Sequence, residues 1–224
     1  MFKSFNHRAE EKELMDEPHV PEKDLHKNYE ELHWVNQYLG GYKASLHGIK
    51  QAIKTHNIQR VVDVGSGGGD TIARICGHFR FKDCMGVDYA KPAISYSKSK
   101  HQHIHFELCE YQKSTFPKEK TLIHTALFNH HLDPEENVEF LKWAKHNSDT
   151  LVINDLQRSF WAWLGIFIIK LWPGFSYLFK NDAPLSVRRA HSKQEWIDML
   201  SLAGFTNYSI TNRPMFRYVI VASI

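Results

Sequence analysis

The sequence predicts an α/β fold built on a seven-stranded, mostly parallel sheet. Short β-branched segments alternate with helical segments along residues 60–202, which is typical of a parallel sheet covered by helices on both faces. The last two predicted strands are joined by only a few residues, whereas a parallel pair needs a crossover of about a dozen. We therefore expect an antiparallel C-terminal hairpin. A glycine-rich turn after the first strand marks the edge where open α/β sheets bind ligands.

The composition is that of an ordinary folded domain, with 42% hydrophobic and 24% charged residues among 224. The formal net charge is +3 and the basic residues are scattered, so the sequence does not favour a nucleic-acid partner. The three cysteines, Cys76, Cys84 and Cys109, lack CxxC spacing. We therefore expect unpaired thiols rather than a disulfide framework or a metal site, a reducing compartment and a cytoplasmic location.

The elements are predicted in order from their spacing. Residues 1–28 are polar and predict an extended arm, and residues 28–56 predict an N-terminal helical extension interrupted at Gly40 and Gly41. Ser192, with Glu195 three residues later, predicts a capping box at the last helix. Strands are expected at 60–64, 84–87, 104–108, 121–128, 150–153, 205–210 and 216–222, and helices at 71–79, from 92, from 133 to about 145, and at 192–202.

Residues 160–179 form the most apolar stretch of the chain and are rich in aromatic side chains. Lys170 and the pair Pro173-Gly174 interrupt this stretch, and the part before Lys170 is too short to cross a bilayer of about 30 Å. We expect a helix that is buried or that faces an apolar acceptor. Two alternatives stay open, namely an interfacial helix in peripheral membrane contact and the surface of a homodimer.

The glycine-rich turn limits the class of ligand. Residues 63–69 have the spacing Asp-x-Gly-x-Gly-x-Gly, which lets the backbone pass close to a ligand where a Cβ atom would collide. In the dinucleotide pattern GxGxxG, counted from Gly65, the third glycine would stand at position 70. Asp70 occupies that position, and its carboxylate would repel a pyrophosphate. The loop therefore favours a cationic ligand without phosphates.

This motif resembles the first motif of the class I methyltransferases that depend on S-adenosylmethionine (SAM), and the resemblance covers roughly residues 45–224. It implies a Rossmann-like class I methyltransferase fold with SAM as cofactor. In the family an acid after the second strand binds the ribose hydroxyls, here Asp88, and an acid after the third strand binds the adenine, here Glu110. The resemblance thus implies the cofactor-binding residues Asp63, Gly65, Ser66, Gly67, Asp88, Tyr89, Glu110, Tyr111 and Phe128.

A narrower resemblance involves four further segments. The sequence Glu13-Leu14-Met15-Asp16 and residues 34–42, 154–159 and 185–191 are similar to bacterial methyltransferases linked to type III polyketide synthases. That group implies a lipophilic phenolic or resorcinol-type small molecule as acceptor. The expected organisation is an arm and helix over residues 1–44 that cover the active site, a SAM-binding domain over residues 45–224, and an apolar acceptor or lid insertion at about 157–191.

Transfer of a methyl group to a phenol is helped by a base, and histidine is the natural candidate at neutral pH. The predicted base or acceptor-binding residues are His131 (or its neighbour His130), Asp155 and His191. Arg188 and Arg189 could bind an acceptor carboxylate or phenolate, and no metal ligand is assigned. The sequence thus predicts O-methylation of a phenolic polyketide. C-methylation of a quinol ring and a SAM-binding protein without catalysis are the alternatives.

Overall fold

A seven-stranded sheet runs through the computed structural model, which describes residues 5–224. The strand order is β3-β2-β1-β4-β5-β7-β6, and β7 is antiparallel to both of its neighbours. The five strands before the hairpin pair in parallel, so the expected mixed sheet with a C-terminal antiparallel hairpin is confirmed. The strands are β1 (Arg60–Val64), β2 (Asp83–Asp88), β3 (His105–Leu108), β4 (Thr121–Ala126), β5 (Thr150–Leu156), β6 (Tyr208–Arg213) and β7 (Arg217–Ser223).

Eight α-helices lie before and between the strands within the described residues. They are α1 (Glu22–Tyr38), α2 (Gly41–Thr55), α3 (Asp70–Phe79), α4 (Lys91–Lys100), α5 (Pro134–Asn147), α6 (Phe160–Ile169), α7 (Tyr177–Arg189) and α8 (Lys193–Leu202). Both Asp133 before α5 and Ser192 before α8 form complete capping boxes. The predicted capping box at Ser192 and Glu195 is therefore confirmed.

Strand periodicity divides the core between the two faces of the sheet. Val62 and Ile123 pack with Trp196 on the face covered by α5 and α8. Val61 and Leu122, one residue earlier on the same strands, pack on the opposite face with the side chains of α2, α3 and α4. Because successive side chains point to opposite faces, the residues that share a face with Val61 also face α2. This parity decides where Asp63 points.

Three local expectations were wrong. Helix α1 begins at Glu22 rather than near residue 28, because Pro21 precedes a first turn that contains the acids Glu22 and Asp24. Helix α7 was missed, because its polar sequence contains Pro184 in the middle of the helix. Strand β6 runs from Tyr208 to Arg213, three residues later at each end than the expected 205–210.

The cysteine expectation is corrected as well. Cys76 in the last turns of α3 and Cys84 at the start of β2 form a disulfide bond with their Cα atoms 6.4 Å apart. The chain turns back after α3 ends at Phe79 and then enters β2. This turn brings Cys76 and Cys84, which are eight positions apart in sequence, next to each other in space. CxxC spacing is not required for such a pair. Cys109 is a free thiol.

The apolar stretch forms α6, the turn that follows it and the first residues of α7, and no residue of α6 is fully buried. Of the two arrangements expected for this stretch, a buried helix is wrong for α6, which instead borders a cavity. One side of α6 contacts a cavity, and the other side carries large apolar side chains that are exposed. Among residues 5–224, no helix is both long and apolar enough to cross a membrane.

Candidate functional site

A cavity of about 730 Å³ lies at the carboxyl ends of β1, β2 and β4. Its walls come from the glycine loop, the N-terminal arm, α1, α6 and the turn of the β6–β7 hairpin. Open α/β sheets bind ligands at this edge because the strand order reverses there and leaves a crevice. In this sheet the reversal lies between β1 and β4, directly at the glycine loop.

The glycine loop brings bare backbone to the cavity. Gly65 and Gly67 have φ angles of 67° and 51°, in the left-handed region that favours glycine. A Cβ atom at Gly65 would collide with the ring of Phe128, whereas a Cβ atom at Gly67 would meet nothing within 4 Å. The space above Gly67 is therefore open to a ligand. Ser66 also lines the cavity, but its hydroxyl is buried and lies against Gly86 on β2.

Asp88 follows β2 beside this loop. Its Oδ2 accepts the Gly67 N–H at 2.9 Å, and its Oδ1 accepts the Ala90 N–H at 2.9 Å. Burial raises the pKa of Asp88, and the two N–H groups oppose that effect. The carboxylate is thus fixed in one orientation and lines the cavity. Each of its oxygens can accept a further hydrogen bond from a ligand hydroxyl.

The predicted residues after β2, β3 and β4 also line the cavity. Tyr111 packs edge-on against Phe128 and Trp143, at ring-centroid distances of 6.4 Å and 4.9 Å. This cluster gives the cavity an aromatic wall. Glu110 is largely exposed and forms an ion pair with Lys113 at 2.9 Å, and Tyr89 is 64% exposed at the rim. These two side chains are free to adjust to a ligand.

Asp63 does not line the cavity, which corrects the expectation that it contacts a ligand directly. Its carboxylate is buried and lies 2.6 Å from His124 Nδ1 on β4, and His124 Nε2 lies 3.0 Å from Ser45 Oγ on α2. The parity of β1 turns Asp63 toward α2 together with Val61, and its position inside the sheet, before the strand end, leaves it covered by His124 and Ser45. Asp63 therefore connects β1, β4 and α2 beneath the loop.

His131 lines the cavity and contacts the N-terminal arm. Its Nδ1 lies 3.0 Å from Asp16 Oδ2, and its Nε2 lies 3.8 Å from Glu13 Oε2. Burial opposes a positive charge on the imidazole, but Glu13 and Asp16 outweigh burial and raise the pKa of His131 to about 9. His131 is therefore a cation at neutral pH. A cation cannot act as a base, so the geometry does not support the role predicted for it.

His130 and Asp155 form a buried pair next to His131. Asp155 Oδ1 lies 2.7 Å from His130 Nδ1, and Asp155 Oδ2 accepts the His130 N–H at 2.9 Å. Burial would raise the pKa of Asp155, but His130 outweighs burial and lowers it. His130 lines the cavity and Asp155 does not. Asp155 thus acts on the cavity only through the orientation of His130.

His191 lies outside the cavity, contrary to the expectation that it is catalytic. Its side chain is buried between α5 and α8, where Nε2 lies 3.0 Å from Asn137 Nδ2. Burial, assisted by the positive charge of Arg8, lowers the pKa of His191 to about 4. The imidazole is therefore neutral and belongs to the packing of α8. In the sequence, His191 stands at a helix start close to two arginines, and this pattern gave no indication that its side chain is buried.

Arg188 and Arg189, which were predicted to bind an acceptor, contact other residues of the chain. Arg189 is buried at the cavity wall, where its guanidinium donates to the carbonyl groups of His130, His131 and Glu11. These bonds attach the loop after β4 to the arm. A guanidinium nitrogen of Arg188 lies 3.7 Å from Glu11 Oε1, and the two groups form an ion pair.

Glu13 and Asp16 were not predicted as site residues, although both belong to a segment that supported the narrower resemblance. They line the cavity, and Asp182 on α7 fixes this part of the arm by accepting the N–H groups of Leu14 and Met15. In the sequence, the available indication that these residues belong to the site was the presence of two acids in a short polar arm. Glu13, His130 and His131 also place ligand-type atoms within 4.8 Å of one another. A protonated His131 has no lone pair for a metal ion at neutral pH, so the ion-pair arrangement is favoured.

The part of the cavity formed by α6 and α7 is apolar. It is lined by Ala162, Ile166, Ile169, Phe179 and Val187, together with Met215 and Phe216 from the hairpin turn. The cavity therefore has a polar end at the glycine loop and an apolar end at α6. Such a division suits one ligand with hydroxyl and charged groups and a second that is largely hydrophobic.

No protein-family model matches the sequence, and no curated protein matches it significantly. The fold is nevertheless similar to that of solved methyltransferases. Human N-acetylserotonin methyltransferase in complex with SAM aligns with TM-score 0.65 and 12% identity, over 91% of this chain and 56% of the human chain. The plantazolicin methyltransferase BpumL in complex with SAH, S-adenosylhomocysteine, aligns with TM-score 0.64 and 13% identity, over 90% of this chain and 95% of BpumL.

A third similar structure is the apo form of the SAM-dependent methyltransferase SibL, with TM-score 0.63 and 15% identity over 97% of this chain and 64% of SibL. The chain thus spans less than two thirds of the human protein and of SibL. At these identities the likeness defines the fold. This fold is the Rossmann-like fold of the methyltransferases, as the resemblance of the glycine motif implied.

Proposed function

We propose that the chain is a SAM-dependent methyltransferase that methylates an oxygen of a hydrophobic, phenolic, polyketide-type small molecule. The main support is one observation: the glycine loop and Asp88 stand at the polar end of a cavity whose other end is apolar. The methyltransferase fold and the SAM and SAH bound in two similar proteins agree with this proposal. The acceptor class comes from the narrower resemblance and from the apolar lining.

The residues at the polar end fit SAM. The open space above Gly67 admits a ligand close to the backbone. Asp88 can accept both ribose hydroxyls as charge-assisted bonds, while Glu110 and Tyr111 would surround the adenine. Asp70 lines the cavity after the loop, but its carboxylate forms an ion pair with Lys100 at 3.1 Å, so it adds little repulsion of a phosphate. SAM carries a positive charge, so the carboxylate of Asp88, which has no cationic partner within hydrogen-bond reach among the described residues, favours it.

The chain's own residues would activate the acceptor. SAM supplies an electrophilic methyl group, and alignment of the acceptor oxygen with it is the main requirement. A phenol at the apolar end would place its oxygen near protonated His131, whose positive charge favours the phenolate. Glu13 lies beside His131 Nε2 and is placed to accept the phenol proton. His131 would thus stabilise charge, and Asp155 would position His130.

Cofactor binding is tested with an Asp88→Asn variant and a matched control on the same strand. Asp83, at the opposite end of β2, pairs with Arg60 and does not line the cavity. Calorimetry should show that Asp88→Asn weakens SAM binding at least about tenfold, because two hydrogen bonds to a charged acceptor weaken. Asp83→Asn should leave the affinity unchanged. Equal affinities for Asp88→Asn and the natural protein would contradict the cofactor site.

The acceptor is tested by product analysis with a panel of alkylated phenols and resorcinols. Methyl ethers among the products support the proposal, and methylated ring carbons would support C-methylation instead. SAM binding without turnover of any phenol would indicate a non-catalytic partner protein.

We further propose that the arm covers the site and that α6 with α7 forms the acceptor wall. The exposed side of α6 would contact a lipid surface or a second copy of the chain.

A further inference from the structure

The outward side of α6 and the turn after it expose four large apolar side chains. Trp161, Ile168, Leu171 and Trp172 are 66%, 61%, 67% and 69% exposed, and we call this set the apolar rim. Single exposed apolar residues are normal on protein surfaces, but a cluster on one short helix marks an interaction site. Two of the four are tryptophans, which are enriched where a protein contacts the boundary between lipid and water.

The apolar rim is continuous with the cavity through the same helix. Ala162, Ile166 and Ile169 line the cavity from α6, while Trp161 and Ile168 point outward from neighbouring positions. Whatever covers the rim is therefore separated from the apolar end of the cavity by the width of one helix. If this side of the helix faced only water, its large apolar side chains would stay exposed to solvent, which is unfavourable.

The charge around the rim distinguishes between occupants. Residues 159–181 contain Lys170 and Lys180 and no acidic residue. Lys170 lies over the ring of Phe167, with its nitrogen 4.5 Å from the ring centroid, so its charge stays at the edge of the apolar surface. Lys170, next to the exposed Leu171 and Trp172, matches an anionic lipid surface, in which rings enter the interface and ammonium groups contact phosphates. A second copy would instead bring Lys170 of one copy toward Lys170 of the other in a symmetric contact of this segment.

We propose that the apolar rim docks on an anionic lipid surface. A hydrophobic acceptor dissolved in the lipid would then reach the apolar end of the cavity along α6. The docking itself depends only on the rim, whereas the delivery of an acceptor rests on the proposed function. The two parts can therefore fail separately.

Flotation of the full chain with lipid vesicles tests the docking. Vesicles of phosphatidylcholine with roughly a third phosphatidylglycerol should carry the protein to the top of the gradient, and salt should weaken the binding. A Trp161→Ser/Trp172→Ser double variant should bind at least about tenfold more weakly, because two apolar rings no longer enter the interface. Leu202→Ser is the matched control, since Leu202 is 70% exposed on α8 and lies outside the rim. It should float like the natural protein.

The outcomes separate docking from the alternatives. Calorimetry with SAM should give the same affinity for the double variant as for the natural protein, because neither tryptophan lines the cavity. Protein that stays at the bottom of the gradient, or a double variant that floats normally, would overturn the docking. A natural protein that is dimeric by light scattering, with a monomeric double variant and no flotation, would assign the rim to self-association. Normal flotation without SAM binding would leave docking intact and reject the proposed function.

Discussion

Asp63 and Asp88 stand at similar positions in the sequence, near the end of a strand, but have different environments in the structure. Asp63 stands one residue before the end of β1 and Asp88 is the last residue of β2, and both were expected to contact a ligand. Asp88 lies in the cavity wall with its carboxylate fixed by two backbone N–H groups. Asp63 pairs with Gly86, two residues before Asp88, so the two acids share a face of the sheet, but Asp63 lies deeper in it and is covered by His124. An acid near a strand end is thus insufficient evidence of ligand contact, because a shift of two residues along the strands moves it from the open edge to the packed interior.

The buried imidazole of His191 should make the protein sensitive to acid. The pKa of His191 is lowered to about 4 in the folded chain and is near 6.5 when unfolded. Between these values only the unfolded chain takes up the proton, so the free energy of unfolding should fall by up to about 3 kcal/mol as pH decreases through this window. Urea unfolding at several pH values checks this.

A His191→Asn variant is the comparison for that measurement. Asp155 and Glu195, which face His191, also have lowered pKa values and add their own acid sensitivity. The variant should keep their contribution and lose only that of the imidazole. If both proteins lose the same stability between neutral and acid pH, His191 is not the buried neutral group described here.

The charge on His131 should appear in the pH profile of turnover. A histidine base with an ordinary pKa would give a rate that rises with pH through about 6.5. A protonated His131 that stabilises phenolate predicts instead a rate that falls as pH rises through about 9, its pKa in the folded chain. His131→Gln should lower kcat about 100-fold, as loss of a group that stabilises developing charge does, and leave SAM affinity unchanged.

His105→Gln is a suitable control, because His105 is exposed on β3 and does not line the cavity. It should leave both kcat and the pH profile unchanged. A His131→Gln variant with full turnover, or a natural profile that rises through pH 6.5, would return His131 to the role of an ordinary base or remove it from the reaction.

At the scale of elements, the helix boundaries follow local side-chain chemistry. Ser192 Oγ accepts the Glu195 N–H at 3.3 Å, and Glu195 Oε2 accepts the Ser192 N–H at 2.8 Å. Arg158 adds two bonds to the Glu195 carboxylate and so connects the end of β5 to the start of α8. The sequence contained the cap but could not show its distant partner.

Ser192→Ala should lower the free energy of unfolding by about 1 kcal/mol, since the Glu195 N–H at the start of α8 loses its acceptor. Ser201→Ala, at the exposed end of the same helix, should change it little. Thermal and urea unfolding of both variants measures the difference. Equal stabilities would mean that Arg158 and packing hold α8 without the cap.

At the scale of the whole molecule, the N-terminal arm joins parts that are far apart in sequence. Arg8 donates to the carbonyl groups of His130 and Leu132, and the Ala9 N–H donates to the Arg188 carbonyl. Glu13 accepts the Ser186 hydroxyl on α7. The arm thus supplies one wall of the cavity and holds it through contacts with both the loop after β4 and α7.

Asp182→Ala should loosen the arm without disturbing the sheet. It removes the acceptor of the Leu14 and Met15 N–H groups, so hydrogen exchange at these two amides should become fast while strands β1 and β4 stay protected. SAM affinity should fall with the loss of the arm. The control is Asp198→Ala on the exposed face of α8. Unchanged protection of Leu14 and Met15 would show that the other contacts hold the arm.

The sequence alone determined the order of the strands along the chain, the antiparallel hairpin, the glycine loop and the position of Asp88 beside it. These features depend on local patterns: strand and helix periods, short connections and backbone that tolerates positive φ. The tertiary structure decided that His191 is buried packing, that Asp63 is covered beneath the cavity, that His131 is a cation, and that Glu13 and Asp16 line the cavity. These depend on burial and on charges brought together from distant segments, since a pKa is set by neighbours in space rather than in sequence.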